Sequence, residues 1–325
     1  MKAQIKTIAL ALTVALTAGV ALPLVAAPGE AKAPAADYFR NSPMLGNPEK
    51  APIYAATLAG KRVVAVGDYG MIIVSDDGKA FRQAKVPSRS PLTGVFFLDA
   101  KLGWAVGHDG TVLNSIDGGD SWQVQREKRG QDQVLMSVWF ENAEHGLAIG
   151  QFGLAVETLD GGKSWQERSL VEGEAGERHL MQLVAAGNGL LLVAAEAGTI
   201  LRSEDAGKTW QAIQTDNKGS FWTGAALADG SLLMAGMRGH VYRSEDRGVN
   251  WKEIPSGTQQ SFTGIVQRPD GSVHVVGLAG ASLLSQDGGK SFKSLPRPDR
   301  MAMTSVVSGP AGELAFTALG MVLRQ

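Results

Sequence analysis

Short apolar runs alternate with polar, glycine-rich turns along almost the whole chain. Gly103-Trp-Ala-Val-Gly107 and His274-Val-Val-Gly277 each end in glycine, and a second apolar run that opens with glycine follows each of them, as in Gly110-Thr-Val-Leu-Asn114. Runs of this length between turn residues are typical of β-strands, because helices need longer stretches with a wider period. The pattern therefore predicts an all-β chain built from many short strands.

A polar turn of the form Ser/Thr-x-Asp-x-Gly-x-x-Trp/Phe follows each pair of runs. Its copies begin at Ser115, Thr158, Ser203, Ser244 and Ser285, and a degraded copy begins at Ser75. The hydroxyl and the carboxylate can accept hydrogen bonds from backbone N–H groups, the glycines can take positive φ, and the aromatic residue opens the next strand. This hairpin turn resembles the Asp box of sialidases and of many unrelated β-propellers, where it marks a fold and not an activity. A structural role is therefore predicted for Asp77, Asp117, Asp160, Asp205, Asp246 and Asp287.

The spacing of the boxes predicts the architecture. Successive boxes lie about 40 to 45 residues apart, which is enough for the four strands and four turns of one propeller blade. After the sixth box, residues 301–325 supply three more strands. The missing outer strand is predicted to be Tyr38-Phe39-Arg40-Asn41, which resembles Phe81-Arg82-Gln83-Ala84. We therefore predict a seven-bladed β-propeller over residues 37–325, with its last blade closed by the N-terminal strand so that no sheet edge is left exposed.

The first residues have the pattern of a secretory signal peptide. Lys2 and Lys6 precede an apolar run that ends in small residues near position 27, and a linker rich in alanine and proline covers residues 28–36. An uncleaved membrane anchor is the alternative, since a run of about 20 residues could span a bilayer. We expect export to the periplasm, or to the thylakoid lumen if the host is photosynthetic.

Composition narrows the chemistry. A net charge of −1 argues against a nucleic-acid partner, and the absence of cysteine excludes disulfides, thiolate nucleophiles and cysteine metal sites. The five histidines fall at different offsets within their repeats, so neither a metal site nor a cofactor is predicted. The chain is expected to be a monomer.

In a four-stranded blade, the loops between strands two and three share one face with the connections between blades, and the Asp boxes occupy the opposite face. We call the first of these the box-free face and expect function there. Its candidate cationic residues are Arg126, Lys128, Arg129 and Arg238. The innermost strands open with apolar residues, namely Ile53, Leu92, Leu135, Leu180, Trp222, Phe262 and Met303. These residues either pack between blades or form an apolar mouth of the central channel that binds protein, in which case Trp222, Phe262, Leu92, Leu135 and Met303 are the contact residues.

Catalysis is the alternative on the same face. Tyr69, with Asp68 and Asp109, could form the phenol and carboxylate cluster of a glycoside hydrolase. However, the Arg-Ile-Pro segment that sialidases place before their first box is missing, and the chain has no G-x-S-x-G elbow. We therefore predict no catalytic residue and no enzymatic activity.

A closer resemblance emerges when box and preceding strands are read together. The run from Gly103 to Trp122, with Val64–Gly70 and Gly146–Gly153, resembles the photosystem II stability and assembly factor family of cyanobacteria and chloroplasts. The resemblance covers residues from about 50 to 325. It implies an exported seven-bladed propeller that binds a newly made membrane subunit without catalysis. The expected partner is thus a membrane-complex subunit, such as a photosystem or transporter component, and a glycan-binding or glycoside-hydrolysing propeller is the alternative.

Overall fold

The computed structural model describes residues 40–320 and 322–324, which form antiparallel sheets with strands numbered from the centre outward. The first three sheets are β1 (Ile53–Ala59), β2 (Arg62–Gly67), β3 (Ile72–Ser75) and β4 (Arg82–Gln83); β5 (Leu92–Phe97), β6 (Gly103–Gly107), β7 (Val112–Ser115) and β8 (Gln123–Arg126); and β9 (Leu135–Phe140), β10 (Gly146–Gly150), β11 (Ala155–Thr158) and β12 (Gln166–Glu167).

The remaining sheets continue the same order. They are β13 (Leu180–Ala185), β14 (Leu191–Ala195), β15 (Thr199–Ser203) and β16 (Gln211–Gln214); β17 (Phe221–Ala226), β18 (Leu232–Gly236), β19 (Val241–Ser244) and β20 (Lys252–Glu253); β21 (Phe262–Gln267), β22 (Val273–Gly277), β23 (Ser282–Ser285) and β24 (Lys293–Ser294); and β25 (Ser305–Gly309), β26 (Gly312–Phe316) and β27 (Val322–Arg324). Short 3-10 turns lie at Pro48–Lys50, Asp68–Gly70, His108–Gly110, Gln151–Gly153, Glu174–Glu177, Met237–Gly239 and Leu278–Gly280.

The sheets form a ring around a central channel. Each innermost strand contacts the innermost strand of the next sheet, and β25 of the last sheet contacts β1 of the first. At that junction the Thr304 hydroxyl donates to the Ile53 carbonyl at 2.7 Å, and the Ile53 N–H donates to the Thr317 carbonyl at 3.1 Å. The predicted all-β propeller is confirmed.

The predicted number of complete blades is corrected. The structure has six four-stranded blades, and the last sheet has only three strands in the part of the chain that is described. Arg40 and Asn41 lie in a turn and a bend, not in a strand, and Tyr38 and Phe39 lie outside the described residues. Closure by the N-terminal strand is therefore not shown. The signal peptide and linker predicted for residues 1–36 also lie outside the described residues.

The core lies between the sheets. The second strand of each four-stranded blade is buried along nearly its whole length, which explains why β2, β6, β10, β14, β18 and β22 read as continuous apolar runs. Trp104 of the second blade and Phe140 of the third stack with ring centroids 3.4 Å apart. No helix among residues 40–320 and 322–324 is long and apolar enough to cross a bilayer.

The Asp boxes are structural turns, as predicted, but the hydroxyl and the carboxylate accept hydrogen bonds from different donors. The Ser115 hydroxyl oxygen accepts the buried N–H of Gly119 at 2.9 Å, whereas Asp117 accepts the exposed N–H and hydroxyl of Ser121. The turns at Thr158, Ser203, Ser244 and Ser285 repeat this division. The buried backbone donor of each turn is thus satisfied by the first residue of the motif.

Candidate protein-binding face

Strained loop tips stand on the box-free face. In the six four-stranded blades, the loop between strands two and three carries a non-glycine residue with positive φ, namely Tyr69, Asp109, Phe152, Ala197, Arg238 and Ala279. Side chains rarely adopt this left-handed conformation, and strain of this kind concentrates at functional sites. Tyr69 and Phe152 are 55% and 72% exposed, so two aromatic rings project from these tips into solvent. The face therefore displays two exposed aromatic side chains.

Four residues of the predicted apolar mouth are not at the surface. Leu92, Leu135, Phe262 and Met303 are fully buried, and each packs in the core between neighbouring blades. Their predicted role as protein contacts is corrected: of the two interpretations of this apolar position, blade packing is the one that describes them.

Trp222 is different, because it does not occupy the same position in its blade. The residue paired with the glycine that ends strand two is Leu92 in the second blade and Phe221 in the fifth. Phe221 is fully buried, whereas Trp222, one residue later, is half-buried and lines the central channel. The sequence assignment was therefore one residue out of register in this blade.

The channel wall consists of residues that sequence reasoning did not select as a set. Seven residues line the same cavity of about 550 Å³, namely Tyr54, Thr93, Met136, Met181, Trp222, Thr263 and Thr304. The first six each follow the buried first residue of their innermost strand, and Thr304 follows the buried Met303 just before β25. Measuring each blade backward from the glycine that ends its second strand would have identified most of them. A ring of one residue per blade thus surrounds the channel at its box-free end.

The predicted basic loop divides into structural and exposed parts. Arg126 is buried, where its guanidinium donates to the Gly110 carbonyl at 2.6 Å and to the Gln133 side chain at 2.7 Å, and pairs with Glu167 at 3.3 Å. Burial lowers the pKa of Arg126 from its ordinary value. Its predicted role in partner binding is corrected, because its donors already tie β8 to the neighbouring loops.

The other cations remain at the surface. Lys128 and Arg129 are exposed, with the Arg129 guanidinium 2.8 Å from Glu127, and Arg238 is exposed at the left-handed tip of the fifth blade. These three residues lie on the box-free face and can reach a partner. Their role in partner binding stays a prediction.

The phenol and carboxylate cluster is loosely built. The Tyr69 N–H donates to the Asp68 carboxylate at 2.9 Å, and the Ser90 hydroxyl donates to Asp109 at 2.8 Å, but no hydrogen bond joins the Tyr69 phenol to Asp109 among the described residues. Burial and the nearby charges of Asp68 and Tyr69 raise the pKa of Tyr54 above its ordinary value, so this channel phenol stays neutral. Within residues 40–320 and 322–324, no group of three or more histidine, aspartate or glutamate side chains could hold a metal ion.

Similarity to known proteins supports the resemblance noted in the sequence. Residues 126–272 match the family model described as the photosynthesis system II assembly factor YCF48. The photosystem II assembly protein Ycf48 of Synechococcus sp. (strain JA-3-3Ab) is 40% identical over 134 residues, which make up 41% of this chain and 40% of that protein. The match thus spans about two fifths of the length of this relative.

Two solved structures share the fold over most of the chain. YCF48 bound to a D1 peptide has a TM-score of 0.68 at 21% identity, covering 89% of this chain and 97% of that one. YCF48 from Cyanidioschyzon merolae has a TM-score of 0.67 at 14% identity, covering 87% and 97%. The resemblance noted in the sequence is thus supported: the chain is similar to the photosystem II assembly factor family in sequence over residues 126–272, and it shares the β-propeller fold with two YCF48 structures over most of its length.

Proposed function

We propose that this chain is an exported, non-catalytic propeller that binds a segment of a membrane-protein subunit and thereby assists assembly of a membrane complex. The observation that carries the proposal is the sequence match of residues 126–272 to a family of assembly factors. Fold likeness alone would not carry it, because propellers host many unrelated functions.

The partner is proposed from the description of one similar structure. One structural neighbour is described as bound to a D1 peptide, which makes an extended peptide segment a reasonable occupant for this chain too. A photosystem subunit is the first candidate, and a transporter component is the second. Export to the periplasm or thylakoid lumen belongs to the same proposal, because the chain would have to meet its partner on that side of the membrane.

The box-free face has the chemistry for such a segment. Tyr69 and Phe152 offer exposed rings, and aromatic side chains dominate the energetics of protein interfaces. Lys128, Arg129 and Arg238 add exposed cations that steer an acidic or polar segment toward the face. Trp222 lies at the channel mouth within the same face. We assign partner binding to these residues and the boxes to stability.

Glycoside hydrolysis is not favoured by any contact in the described residues. In the described part of the chain no base accepts a hydrogen bond from the Tyr69 phenol, whereas a nucleophile needs a base within reach. The chain is therefore proposed to act by binding.

We also propose that the last sheet is completed by the N-terminal segment, which would make seven full blades. In the first, fourth, fifth and sixth blades, the glycine of the loop between strands two and three packs against the outgoing connection, which is the segment that leads from the blade's outer strand to the next blade. Gly70, for example, packs against the Ser88 carbonyl. In the last sheet, Gly320 packs against the Lys50 carbonyl in the same way. This contact near Lys50 resembles that of an outgoing connection, which supports the proposal that residues before it supply the fourth strand of the last sheet.

A peptide titration tests the proposed function. The purified full chain is titrated into fluorescently labelled D1 peptide, and anisotropy should rise to saturation, with a weaker response to a scrambled peptide. Trp222→Ala should weaken binding, whereas Ile116→Ala, on the exposed box face, should not. Release of a fluorogenic sugar that depends on Tyr69 would overturn the proposal in favour of a hydrolase.

A further inference from the structure

A β-bulge recurs at the second residue of the innermost strands. In the six four-stranded blades the register slips at this point, as between Phe221 and Thr223 and between Leu92 and Gly94. A bulge leaves its extra residue outside the ladder and re-aims its side chain, and bulges are enriched beside functional sites. The bulged residues are the ones that ring the channel, so the backbone itself presents one side chain per blade to the cavity.

The cavity wall carries no charge. None of the residues that line it is acidic, basic or histidine, although 19% of the chain is charged. Met136, Met181 and Trp222 form an apolar arc on three consecutive blades. On the other blades the hydroxyls of Thr263 and Thr304 are already committed to the carbonyls of Met303 and Ile53, both at 2.7 Å.

Uncharged hydrogen-bond donors lie one residue deeper. The Ser137 hydroxyl oxygen accepts the Leu183 N–H at 3.0 Å, and the Gln182 carbonyl oxygen accepts the Gly224 N–H at 2.9 Å. Their acceptor atoms are thus occupied by neighbouring blades, which leaves the Ser137 O–H and the Gln182 amide N–H as donors. Both residues line the same cavity directly behind the methionines.

We propose that the channel mouth binds an uncharged apolar side chain of a partner polypeptide, with a backbone carbonyl of that residue accepting from Ser137 and Gln182. Bringing a charged group into a cavity with no opposite charge would cost its hydration without compensation. Methionine side chains adapt to apolar groups of different shape, and about 550 Å³ is within the range of sites that enclose a small ligand. The inference rests on the proposed function and names the chemistry of the anchor residue that this site selects.

Amino-acid amides test the site without the natural partner. The full chain is labelled with ¹³C at its methionine methyl groups and titrated with N-acetyl-leucinamide and N-acetyl-phenylalaninamide, which are uncharged and carry a backbone carbonyl. The Met136 and Met181 signals should shift in a saturable way, and that of Met44, exposed near the N-terminal end of the described chain, should not. N-acetyl-lysinamide and the α-amide of N-acetyl-aspartic acid, whose side chains are charged, should bind at least about tenfold more weakly.

Two variants keep the test decisive. Trp222→Ala should remove the Met181 shift if the arc binds as a unit, and Gln182→Leu should weaken both uncharged amides if the carbonyl is recognised. Unmoved Met136 and Met181 signals, or equal shifts with the charged amides, would overturn the inference. Partner capture that persists in Met181→Lys would also overturn the inference, but it would leave the proposed function standing. Amide binding without any partner capture would overturn the proposed function and leave the channel-mouth site standing.

Discussion

His274 in the sixth blade and Glu313 in the last sheet share a hydrogen bond of 2.6 Å between Nδ1 and Oε1, and both side chains are almost fully buried. Arg268 donates to the other Glu313 oxygen at 2.7 Å, and the far nitrogen of His274 lies 2.7 Å from the Ser282 hydroxyl. In the earlier blades the position of His274 is occupied by an apolar residue, namely Val64, Trp104, Leu147, Leu192 or Leu233. The junction with the three-stranded sheet is thus tied by a polar network where other junctions use packing.

Removing the Glu313 charge should destabilise the ring. Glu313→Gln breaks a buried pair and is expected to cost about 3 kcal/mol at neutral pH, measured by urea unfolding. Although burial alone would raise the pKa of Glu313, hydrogen bonds from His274 and Arg268 lower it overall. Its stabilising contribution is therefore present above the ordinary carboxyl pKa and is lost as pH falls through the lowered one. The free energy of unfolding of the variant should fall less steeply as the pH is lowered than that of the unaltered protein. The same slope in both proteins would contradict this role of Glu313.

The box hydroxyl should matter more to stability than the box carboxylate. Ser115→Ala leaves the buried Gly119 N–H unpaired and is expected to cost about 2 kcal/mol, whereas Asp117→Ala exposes donors already near water and should cost about 1 kcal/mol. Chemical unfolding of the two variants decides the order. A larger loss for Asp117→Ala would show that the carboxylate holds the turn.

The pKa of the box carboxylate Asp205 should lie far below that of an ordinary aspartate. Hydrogen bonds from the Thr209 hydroxyl and N–H lower the pKa of Asp205 to about 2. The contribution of this carboxylate to stability is hence complete above its unfolded pKa and is lost progressively as the pH falls from that value to about 2. A ¹³C carboxyl titration should report the low value, and Thr209→Val should raise it. If the pKa stayed the same in the variant, the hydroxyl would not be its cause.

The fold was largely predictable because six boxes at a nearly constant spacing identify the blades, and each box marks a turn between two strands. The channel wall was not, because the residues at the bulges share no sequence signature, and in the fifth blade two aromatic residues, Phe221 and Trp222, stand side by side. Arg126 looked like a surface cation, since no sequence pattern shows that the Gly110 carbonyl lies beside it. Side-chain exposure depends on contacts across blades, which a linear pattern does not contain.

Substitution of the adjacent residues Phe221 and Trp222 should have different effects, one on stability and the other on partner binding. Phe221→Ala empties a buried position and is expected to cost about 3 to 5 kcal/mol. Trp222→Ala should cost only about 1 kcal/mol but abolish capture of the partner. Thermal unfolding and peptide titration of both variants test this. Equal destabilisation would place Trp222 in the core as well.

A cysteine pair tests whether the N-terminus completes the last sheet. The chain has no native cysteine, so Asn41→Cys with Leu323→Cys provides an unambiguous crosslink. If residues before position 42 pair with β27, mild oxidation should form an intramolecular disulfide, detected by mass spectrometry. Asn41→Cys with Gln286→Cys, in the box of the sixth blade, is the control. A disulfide in the control alone would exclude the proposed closure.

Photocrosslinking in the native envelope tests the central claim most directly. Benzoylphenylalanine is placed at Trp222, in the channel mouth of the box-free face, and in a matched chain at Ile116, which is exposed on the box face. The account predicts that irradiation joins the residue-222 probe to a segment of a membrane-complex subunit and that the residue-116 probe gives no such product. Crosslinks to that subunit from residue 116 and none from residue 222 would contradict it.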